Sequence, residues 1–516
     1  MFKQKAAVRQ NRPYHLIAPL GGINALSPCF AMKENQALAM ENFFPSAEGL
    51  RLRPGYLSHA LTTGQPERLW VYSTPSGSDQ LFATTASGIY NVTTGGGATT
   101  LLVALTEGET SSASISTGAG SYMLIANGVD TVKSYDGTTW SSVATFGALA
   151  SETLSYVETY RQRVYFVKRN SLELEYLGAN SVSGATTNYP LGAIFRRGGY
   201  IVALATWTLD SGSGPDDQLA VLTSQGEVAV FSGSLPSDAT LWSERGVFYV
   251  GKPLGKNPLY KWGGDLLILT ENGVLPLSSV IQSTVLTRTS AVSNLITPLI
   301  NKAAELFRDN KGWQLIADPQ APYLLVNIPS TPVRKQFVMN LETKAWSVFS
   351  GWDAVAFARM GSLMYFSEST GRIRKITGTY DGAVGGNYPI RGSFVQAPSQ
   401  FDTPYNKKVE LIRPYMQQNG DYRGTLGFGS HLKTPLEYTD FSGRWSQGSL
   451  IPPIWGTAFW GTAAWVGASD SEVSDDWLTP PDNYGTWKSL HFAIQGYTAN
   501  VSYHGSDIRF LTSLGL

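Results

Sequence analysis

One pattern of apolar and polar positions repeats between about residue 67 and residue 380. Each repeat is an apolar run, then a turn containing Gly, then a run in which apolar and polar residues alternate. The clearest turns are Ser87-Gly88, Asn127-Gly128, Gln225-Gly226, Asn272-Gly273 and Thr370-Gly371. Asn-Gly and related pairs adopt the positive φ angles that a two-residue hairpin requires. The pattern therefore predicts a series of β-hairpins, each with a buried first strand and a half-exposed second strand.

The spacing of these hairpins suggests how they are arranged. Successive units lie about forty to fifty residues apart, the length of a four-stranded propeller blade. Six or seven units can be counted. Two of them end in a turn followed by Trp140 and Trp346, and we expect each Trp to pack between two sheets. We predict an all-β protein with a β-propeller at residues 66–380, and we prefer six blades over seven.

The sequence pattern changes on either side of the predicted propeller. Residues 1–65 are predicted to be an N-terminal arm and a clamp segment. Residues 381–516 are predicted to be a β-sandwich-like C-terminal domain that carries a Trp-rich loop between Trp445 and Trp487. Strands are expected in this domain at 408–416, 425–429, 490–497 and 501–510, the last two as a hairpin. Helices are predicted at 301–309 and, from its helix-forming residues, at 33–42.

Composition favours a subunit of an assembly over an ordinary secreted β protein. Charged residues make up 15% of the chain and aromatic residues 12%, whereas about 25% charge is usual. Interface cores are likewise poor in charge and rich in aromatics. The net charge is zero, so it gives no argument for nucleic-acid binding, although a channel lined by one sign of charge remains compatible with it.

Targeting and redox signals are few. The single cysteine, Cys29, excludes an intrachain disulfide, and we expect it to be a small buried residue. The N-terminus is basic but has no apolar signal-peptide core. No run of about eighteen apolar residues occurs, so we expect no transmembrane helix and no membrane anchor.

Few residues suggest chemistry. The adjacent acids Asp216-Asp217 and Asp475-Asp476 lie in polar loops, where solvation is the usual role. Gly95–Gly97 is expected to be a hairpin tip. Ligand spacing is lacking among the five histidines, which are His15, His59, His431, His491 and His504. We therefore predict no catalytic, cofactor-binding or metal-binding residues, no cofactor, and a protein that is not an enzyme.

One stretch has the look of an enzyme motif. Residues 134–140, Ser-Tyr-Asp-Gly-Thr-Thr-Trp, resemble the Asp-box of sialidases, which are also propellers. The Asp-box separates its Asp and Gly by one residue, whereas Asp136 and Gly137 are adjacent. Even a complete Asp-box is a structural turn, so we expect a turn here.

Basic residues occur in three groups. Lys3, Lys5, Arg9 and Arg12 precede the first acidic residue. This arm has three interpretations: contact with DNA phosphates, docking on an acidic neighbour, or a solvated tail, and the last two are favoured. The other groups are Arg161, Arg163, Lys168 and Arg169, and Arg196-Arg197. Any of these basic residues could face the inside of a channel, and we do not assign that position to a particular one.

The most specific segment runs from Gly21 to Tyr56, GGINALSPCFAMKENQALAMENFFPSAEGLRLRPGY. It resembles the opening of structural tail proteins from short-tailed bacteriophages, the nozzle or hub proteins. The resemblance implies a virion tail protein, assembled in the host cytoplasm, that forms a ring around the DNA ejection channel. Six subunits are expected in this homo-oligomer.

The resemblance also implies partners. These are the portal–adaptor proteins, tail fibres or spikes, and phage DNA that makes non-specific contact in the channel. In such a protein the segment 21–56 would clamp the chain ends or neighbouring domains together. The alternative is a propeller tail protein that binds or cleaves glycans, an adhesin or glycosidase. In an adhesin, the Trp-rich tract would provide sugar-stacking surfaces.

Overall fold

The computed structural model describes residues 8–9, 13–74, 77–210, 215–282, 290–318, 322–383, 386–430, 438–443, 472–474, 476–481, 484–497 and 500–513. The chain divides into two compact units. The sandwich unit comprises Met1–Tyr56, Glu342–Phe349 and Thr377–Leu516, and the propeller unit comprises Leu57–Leu341 and Ser350–Ile376. The N-terminal segment therefore belongs to the same unit as the C-terminal residues.

The propeller unit is built from seven blades within the described residues. Five of them are separate small antiparallel sheets, and the strands of the last two belong to one larger sheet. Blade 1 contains Pro66–Tyr72, Gln80–Thr85, Gly88–Asn91 and Leu101–Ala104, and blade 2 contains Ser111–Thr117, Gly120–Ala126, Val132–Tyr135 and Trp140–Val143. Blade 3 contains Leu154–Tyr160, Arg163–Lys168, Glu173–Tyr176 and Thr187–Pro190, and blade 4 contains Ile201–Asp210, Pro215–Thr223, Glu227–Gly233 and Trp242–Tyr249. Blade 5 contains Leu259–Trp262, Asp265–Thr270 and Gly273–Pro276, and blade 6 contains Gln314–Asp318, Tyr323–Ile328 and Lys335–Asn340. Blade 7 contains Ala354–Met360, Leu363–Glu368, Arg372–Ile376 and Tyr56–Leu61.

Successive blades pack on one another and close a ring. Shared apolar clusters join blades 1 and 2, 2 and 3, 3 and 4, 4 and 5, and 7 and 1. Tyr260 of blade 5 donates from its hydroxyl to the carbonyl oxygen of Ala317 in blade 6, at 3.2 Å. The side-chain amide of Gln314 in blade 6 bonds the backbone of Phe357 in blade 7 at 2.7 and 2.8 Å. The β-propeller prediction is confirmed, with seven blades rather than the preferred six.

The seventh blade explains the miscount. Its outer strand, Tyr56–Leu61, comes from near the start of the chain and lies beside Arg372–Ile376. The amide of Thr62 donates to the carbonyl oxygen of Gly371 at 2.9 Å. Residues 57–61, which the sequence suggested were part of the N-terminal segment, therefore close the propeller.

Hairpins form at the predicted turns, but the connections between their paired strands contain two to five residues rather than two throughout. The position of Trp140 matches the sequence analysis. Trp140 stacks on Tyr135 of its own blade at 4.9 Å and meets Phe82 of blade 1 edge-on at 5.3 Å, so it packs between two sheets as predicted. The expected half-exposed second strand of each hairpin is wrong. In Val132–Tyr135 and Gly273–Pro276, for example, all four residues are buried, because neighbouring blades cover both faces.

Helix is scarce in the described part of the chain. Helix α1, Leu277–Gln282, and helix α2, Thr297–Phe307, lie between blades 5 and 6, and short 3-10 turns lie at Cys29–Ala31, Ser151–Thr153 and Asn294–Ile296. Helix α2 corresponds to the helix predicted at 301–309. Neither helix is long and apolar enough to cross a membrane. The helix predicted at 33–42 is wrong, since Ala37–Glu41 is a strand.

Two short strand pairings lie beside the blades. Gly97–Ala98 pairs in parallel with residues 60–61. The predicted hairpin tip at Gly95–Gly97 lies in the loop that connects the paired strands Gly88–Asn91 and Leu101–Ala104. Thr145–Phe146 and Leu149–Ala150 form a small hairpin between blades 2 and 3.

The sandwich unit has two groups of strands. One contains Phe43–Ser46, Gly49–Leu52, Val501–Ser513, Asn406–Gln418 and Glu472–Ser474, with Val8–Arg9 and Tyr14–Ile17 paired to Val501–Ser513. The other contains Trp346–Ser350, Ala37–Glu41, Tyr380–Ala383, Gly386–Gln396, Lys488–Tyr497, Asp421–Ser430 and Thr439–Gly443. An aromatic core joins the two groups, because Phe394 and Phe492 of the second group lie 5.3 and 4.9 Å from Tyr503 of the first.

The predicted C-terminal hairpin is wrong. Lys488–Tyr497 pairs with Gly386–Gln396 and Asp421–Ser430. Val501–Ser513 pairs with Asn406–Gln418 instead. The chain therefore crosses from one sheet to the other, which is how a sandwich is made.

Candidate functional site

The first candidate feature is a cluster of charges where the innermost strands of several blades begin. It contains Glu67 and Arg68 of blade 1, Glu107 and Glu109 before blade 2, Lys256 before blade 5, and Lys311 before blade 6. We call it the cross-blade cluster. Its members come from both sides of the ring, because two blades or more separate blade 2 from blade 5 in either direction.

Lys256 makes the link across the ring. Its Nζ donates to the carbonyl oxygens of Glu109 at 2.7 Å and Asn127 at 3.1 Å. The neighbouring Asn257 donates to the carbonyl oxygen of Thr110 at 3.2 Å. Burial lowers the pKa of Lys256 to about 8. Blades 2 and 5 therefore touch across the middle of the ring, and the central channel is crossed by hydrogen bonds at this end.

Lys311 and Arg68 bind the acids of the cluster. Lys311 Nζ lies 3.2 Å from Glu67 and also donates to Glu107. Burial opposes the charge of Lys311, but its bonds to both glutamates raise its pKa. The buried Arg68 lies 3.3 Å from Glu109. Each of these glutamates is thus held beside a cation.

A second charged group lies on the innermost strands of blades 3, 4 and 5. Lys261 Nζ is 3.5 Å from the Glu158 carboxylate and donates to the hydroxyl of Thr206. Burial raises the pKa of Glu158, and Lys261 acts in the opposite direction. This carboxylate, too, faces a cation rather than a second carboxylate.

The clamp segment forms the second candidate feature, inside the sandwich unit. Arg53 is buried and binds both carboxylate oxygens of Asp381, at 2.8 and 2.7 Å. Its Nε donates to Asn42 Oδ1 at 3.1 Å, and Asn42 Nδ2 donates to the carbonyl oxygen of Arg391 at 2.9 Å. Gly55 packs so closely on Tyr380 that a Cβ would lie 1.9 Å from its carbonyl oxygen. The Arg-Pro-Gly-Tyr sequence is therefore explained by the ion pair of Arg53 and by the close approach of Gly55 to Tyr380.

The first half of the clamp segment is held similarly. Gly22 has φ of 70°, and a Cβ there would lie 2.5 Å from the carbonyl oxygen of Trp346. Asn24 Nδ2 donates to Gln36 Oε1 at 2.9 Å, and the amide of Asn24 donates to the carbonyl oxygen of Ala37 at 3.0 Å. Residues 50–51 pair with residues 502–503. The segment thus joins the beginning of the chain to its end within this unit.

Basic residues around blade 3 have partners within that blade or in its neighbours. Arg163 donates to the carbonyl oxygen of Ser234 in blade 4 at 3.0 Å, and Arg169 donates to that of Gly128 in blade 2 at 3.1 Å. Lys168 pairs with Glu173 at 2.8 Å. Most of the group around blade 3 therefore ties that blade together or to its neighbours.

The remaining basic residues of the propeller also contact neighbouring groups. Arg161 lies over the ring of Tyr160, at 5.7 Å from its centroid. The backbone amides of Arg196 and Arg197 donate to the Glu227 carboxylate at 3.3 and 2.8 Å. Of the N-terminal arm, Arg9 lies in a strand on Val501–Ser513, whereas Lys3, Lys5 and Arg12 lie outside the described residues.

Several of the acidic and histidine candidates have polar partners. The Asp217 carboxylate accepts from the Thr208 hydroxyl at 2.6 Å, and Asp475 and His431 lie outside the described residues. His15 lies 3.0 Å from Asp507, and His59 lies 2.8 Å from the carbonyl oxygen of Val92. Among the described residues, no group of three or more His, Cys, Asp or Glu side chains could hold a metal ion. Cys29 is half-buried.

The stretch that resembles an Asp-box forms a turn at residues 136–139. The Asp136 carboxylate accepts from the amides of Thr138 at 2.8 Å and Thr139 at 2.7 Å. These bonds hold its pKa well below the usual range. The residue therefore stabilises the turn before Trp140.

A cleft on the sandwich unit offers little for hydrolysis. Its volume is about 590 Å³, and Arg391, Arg423, Asp440 and Gln495 are among its lining residues. Asp440 supplies the only carboxylate among the described lining residues, whereas glycoside hydrolysis uses two.

Two residues of the Trp-rich tract lie among the described residues on the sandwich unit. Trp477 contacts the guanidinium groups of Arg413 and Arg509, at 4.9 and 4.7 Å. Trp487 packs on Phe30 at 4.9 Å. The residues between 444 and 471 lie outside the described residues.

Comparisons with known proteins return propellers. No protein-family model matches the chain, and no curated protein sequence does. Among solved structures, BBS1N in complex with ARL6DN has 14% identity and a TM-score of 0.40, covering 64% of this chain and 100% of its own. The β-propeller domain of Cps50 (Swd1) from Myceliophteria thermophila has 12% identity and a TM-score of 0.35, covering 62% and 98%. The WD40 propeller of Doa1 has 8% identity and a TM-score of 0.36, covering 62% and 96%.

Proposed function

We propose that this chain is a structural subunit of the tail of a short-tailed bacteriophage, a nozzle or hub protein. It forms a ring, expected to contain six copies, around the channel for genome ejection. Its partners are the portal–adaptor proteins, tail fibres or spikes, and DNA that makes non-specific contact in the channel. It is assembled in the host cytoplasm, resides in the virion tail, and is not an enzyme.

The observation that carries the proposal is the sequence of residues 21–56, which resembles the opening of such tail proteins. The contacts of this segment support it. Gly22, Asn42, Arg53 and Gly55 are each required by a close approach or a buried hydrogen bond. The resemblance therefore involves residues with a shared structural role, which is to attach the N-terminal segment to residues between 346 and 391 of the same unit.

The charged groups of the propeller add support for a structural role. The glutamates of the cross-blade cluster and Glu158 lie beside lysine or arginine. Such pairs hold strands in place, whereas a general acid and base must be free to exchange protons with a substrate. Because hydrogen bonds cross the channel of the propeller, DNA would pass between copies of the chain rather than through one copy.

Native mass spectrometry tests the proposal. The protein is measured alone and after co-expression with the portal–adaptor proteins of the same phage. We expect a ring, alone or in the complex. A chain that stays monomeric and joins neither would contradict the proposal. Glycan binding and release of reducing sugars would then test the adhesin or glycosidase alternative.

A further inference from the structure

The cleft of the sandwich unit lies on one face of four neighbouring strands. These strands are Gly386–Gln396, Lys488–Tyr497, Asp421–Ser430 and Thr439–Gly443, which pair in that order. The opposite face of the strands carries aromatic residues of the core. The floor of the cleft is therefore held in place by strand pairing and by the packed core beneath it.

Three polar side chains form a row across this face. Arg391 pairs with Gln495, and Gln495 pairs with Arg423. Neighbouring strands lie about 4.8 Å apart, so the Cα atoms of the two arginines lie about 10 Å apart on either side of Gln495. Both arginines are exposed. Because an arginine binds a carboxylate through parallel N–H bonds, the row presents two such binding groups to one ligand.

The next row of side chains gives the cleft its depth and its acid. Ala493 pairs with Thr425, and Thr425 pairs with Asp440. The short side chain of Ala493 leaves space between its longer neighbours, and the cleft has a volume of about 590 Å³. Small-molecule sites usually have volumes of about 300–1,000 Å³. The cleft is therefore large enough for a small molecule or for the end of a chain of sugars.

The charges of the cleft do not neutralise one another. Among the described residues, no side chain binds the guanidinium of Arg391 or the carboxylate of Asp440. By contrast, the buried Arg53, Arg68 and Arg374 each pair with an acid. A ligand in the cleft can therefore meet positively charged donors and a negatively charged acceptor at the same time.

We propose that this cleft binds an acidic saccharide, a sugar that carries a carboxylate and several hydroxyl groups. The carboxylate accepts hydrogen bonds from Arg391 and Arg423, and hydroxyl groups donate to the carboxylate of Asp440. Inorganic phosphate fits less well, because it has few hydroxyl donors and Asp440 repels its charge. Extended peptides bind mainly along the edge of a sheet, whereas the cleft lies on a face. The inference goes beyond the proposed function and does not depend on a ring.

Titrations followed by saturation-transfer NMR test the proposal with two matched pairs of sugars. The first pair is a tetrasaccharide of alternating glucuronic acid and N-acetylglucosamine, and the same tetrasaccharide with its carboxylates reduced to alcohols. The second pair is sialyllactose and lactose. We expect at least one acidic sugar to bind about tenfold more tightly than its neutral counterpart, because a hydrogen bond to a charged group contributes about that factor.

Substitutions show whether the two arginines hold the carboxylate. Arg391→Gln and Arg423→Gln should each weaken the binding of that acidic sugar about tenfold and leave the binding of its neutral counterpart unchanged. Arg51→Gln is the matched control, because Arg51 is also exposed on the sandwich unit but does not line the cleft. Thermal unfolding checks each fold, and Arg391→Lys and Arg423→Lys, which lose the paired donors, replace the glutamine variants if these do not fold.

The outcomes separate the inference from the proposed function. If neither acidic sugar binds better than its neutral counterpart, or if the arginine variants bind as well as the wild type, the inference is wrong. Displacement of the sugar by an equal concentration of inorganic phosphate or tetraglutamate would show a general anion site and would also overturn it. A ring that binds no acidic sugar leaves the proposed function standing. A chain that binds an acidic sugar but never assembles supports the inference and contradicts the proposed function.

Discussion

The pair of Arg53 and Asp381 gives the sharpest test of the clamp segment. We predict that Arg53→Met strongly destabilises the sandwich unit. The Arg53 side chain is 2% exposed and that of Asp381 is 14% exposed. The substitution removes two hydrogen bonds to the carboxylate, one to Asn42 and one to the carbonyl oxygen of Pro54. It leaves the carboxylate of Asp381 largely buried without this cation.

The magnitude follows from that burial. Removing one partner of a buried ion pair costs about 3–5 kcal/mol, because the remaining charge stays desolvated. Since some water reaches Asp381, we expect a loss of about 3 kcal/mol, the lower end of that range. The double variant Arg53→Met/Asp381→Leu should lose less than the single variant, because it leaves no isolated charge.

Urea unfolding followed by intrinsic fluorescence measures the loss, and hydrogen exchange shows whether it falls in the strands of the sandwich unit. Arg51 is the matched control, two residues away. It pairs with Glu48, and the two side chains are 55% and 72% exposed. Arg51→Met should change the unfolding free energy by less than about 0.5 kcal/mol. Equal effects of the Arg51 and Arg53 substitutions would refute the reasoning.

Three further predictions concern other contacts. Gly55→Ala should destabilise the sandwich unit, because its Cβ would lie 1.9 Å from a carbonyl oxygen, whereas Gly118→Ala, with nothing within 4 Å, should leave the melting temperature unchanged. Lys256→Met should cost the propeller unit about 1–3 kcal/mol by removing the donor to two carbonyl groups; exposed Lys302→Met is the control in the same urea titration. Burial lowers the pKa of Lys488 from 10.5 to about 7, so between those values the unfolded chain binds more protons and stability rises with pH. Lys488→Met should weaken that rise between pH 7 and pH 9, and an unchanged slope would contradict the assignment.

The propeller could be predicted because its signals are local. Turn pairs such as Asn127-Gly128 and the Trp140 that follows a turn report on residues only a few positions away. The closure of the ring could not be predicted in this way. Blade 7 joins residues 57–61 to Arg372–Ile376, and no short-range pattern connects segments so distant in the sequence.

Two errors show where tertiary pairing overrides local preference. Gln36, Ala37, Leu38 and Met40 are good helix formers, yet residues 37–41 pair with residues 393–396. Helix propensity differs by less than about 1 kcal/mol per residue, so the pairing of a central strand outweighs it. The C-terminal hairpin failed for the same reason, because each of its strands pairs with a different sheet.

The cross-blade cluster was missed for a different reason. Its partners are remote, since Glu67 and Lys311 are 244 positions apart. A signal was nevertheless present. Only 15% of the residues are charged. Once a propeller is predicted, the charged residues near the start of a strand, such as Glu67, Arg68 and Lys256, can therefore be predicted to form ion pairs with one another.

The hydrogen bonds that cross the propeller channel restrict the architecture of the proposed ring. If one chain cannot pass DNA through its own propeller, a conduit for DNA has to lie between several chains. Chains surround a conduit when each presents two different contact surfaces to its neighbours. The balanced charges of the cross-blade cluster then contribute to the rigidity of each propeller. In the proposed ring, contact with sliding DNA would fall to residues that face the conduit, where weak phosphate contacts would permit ejection.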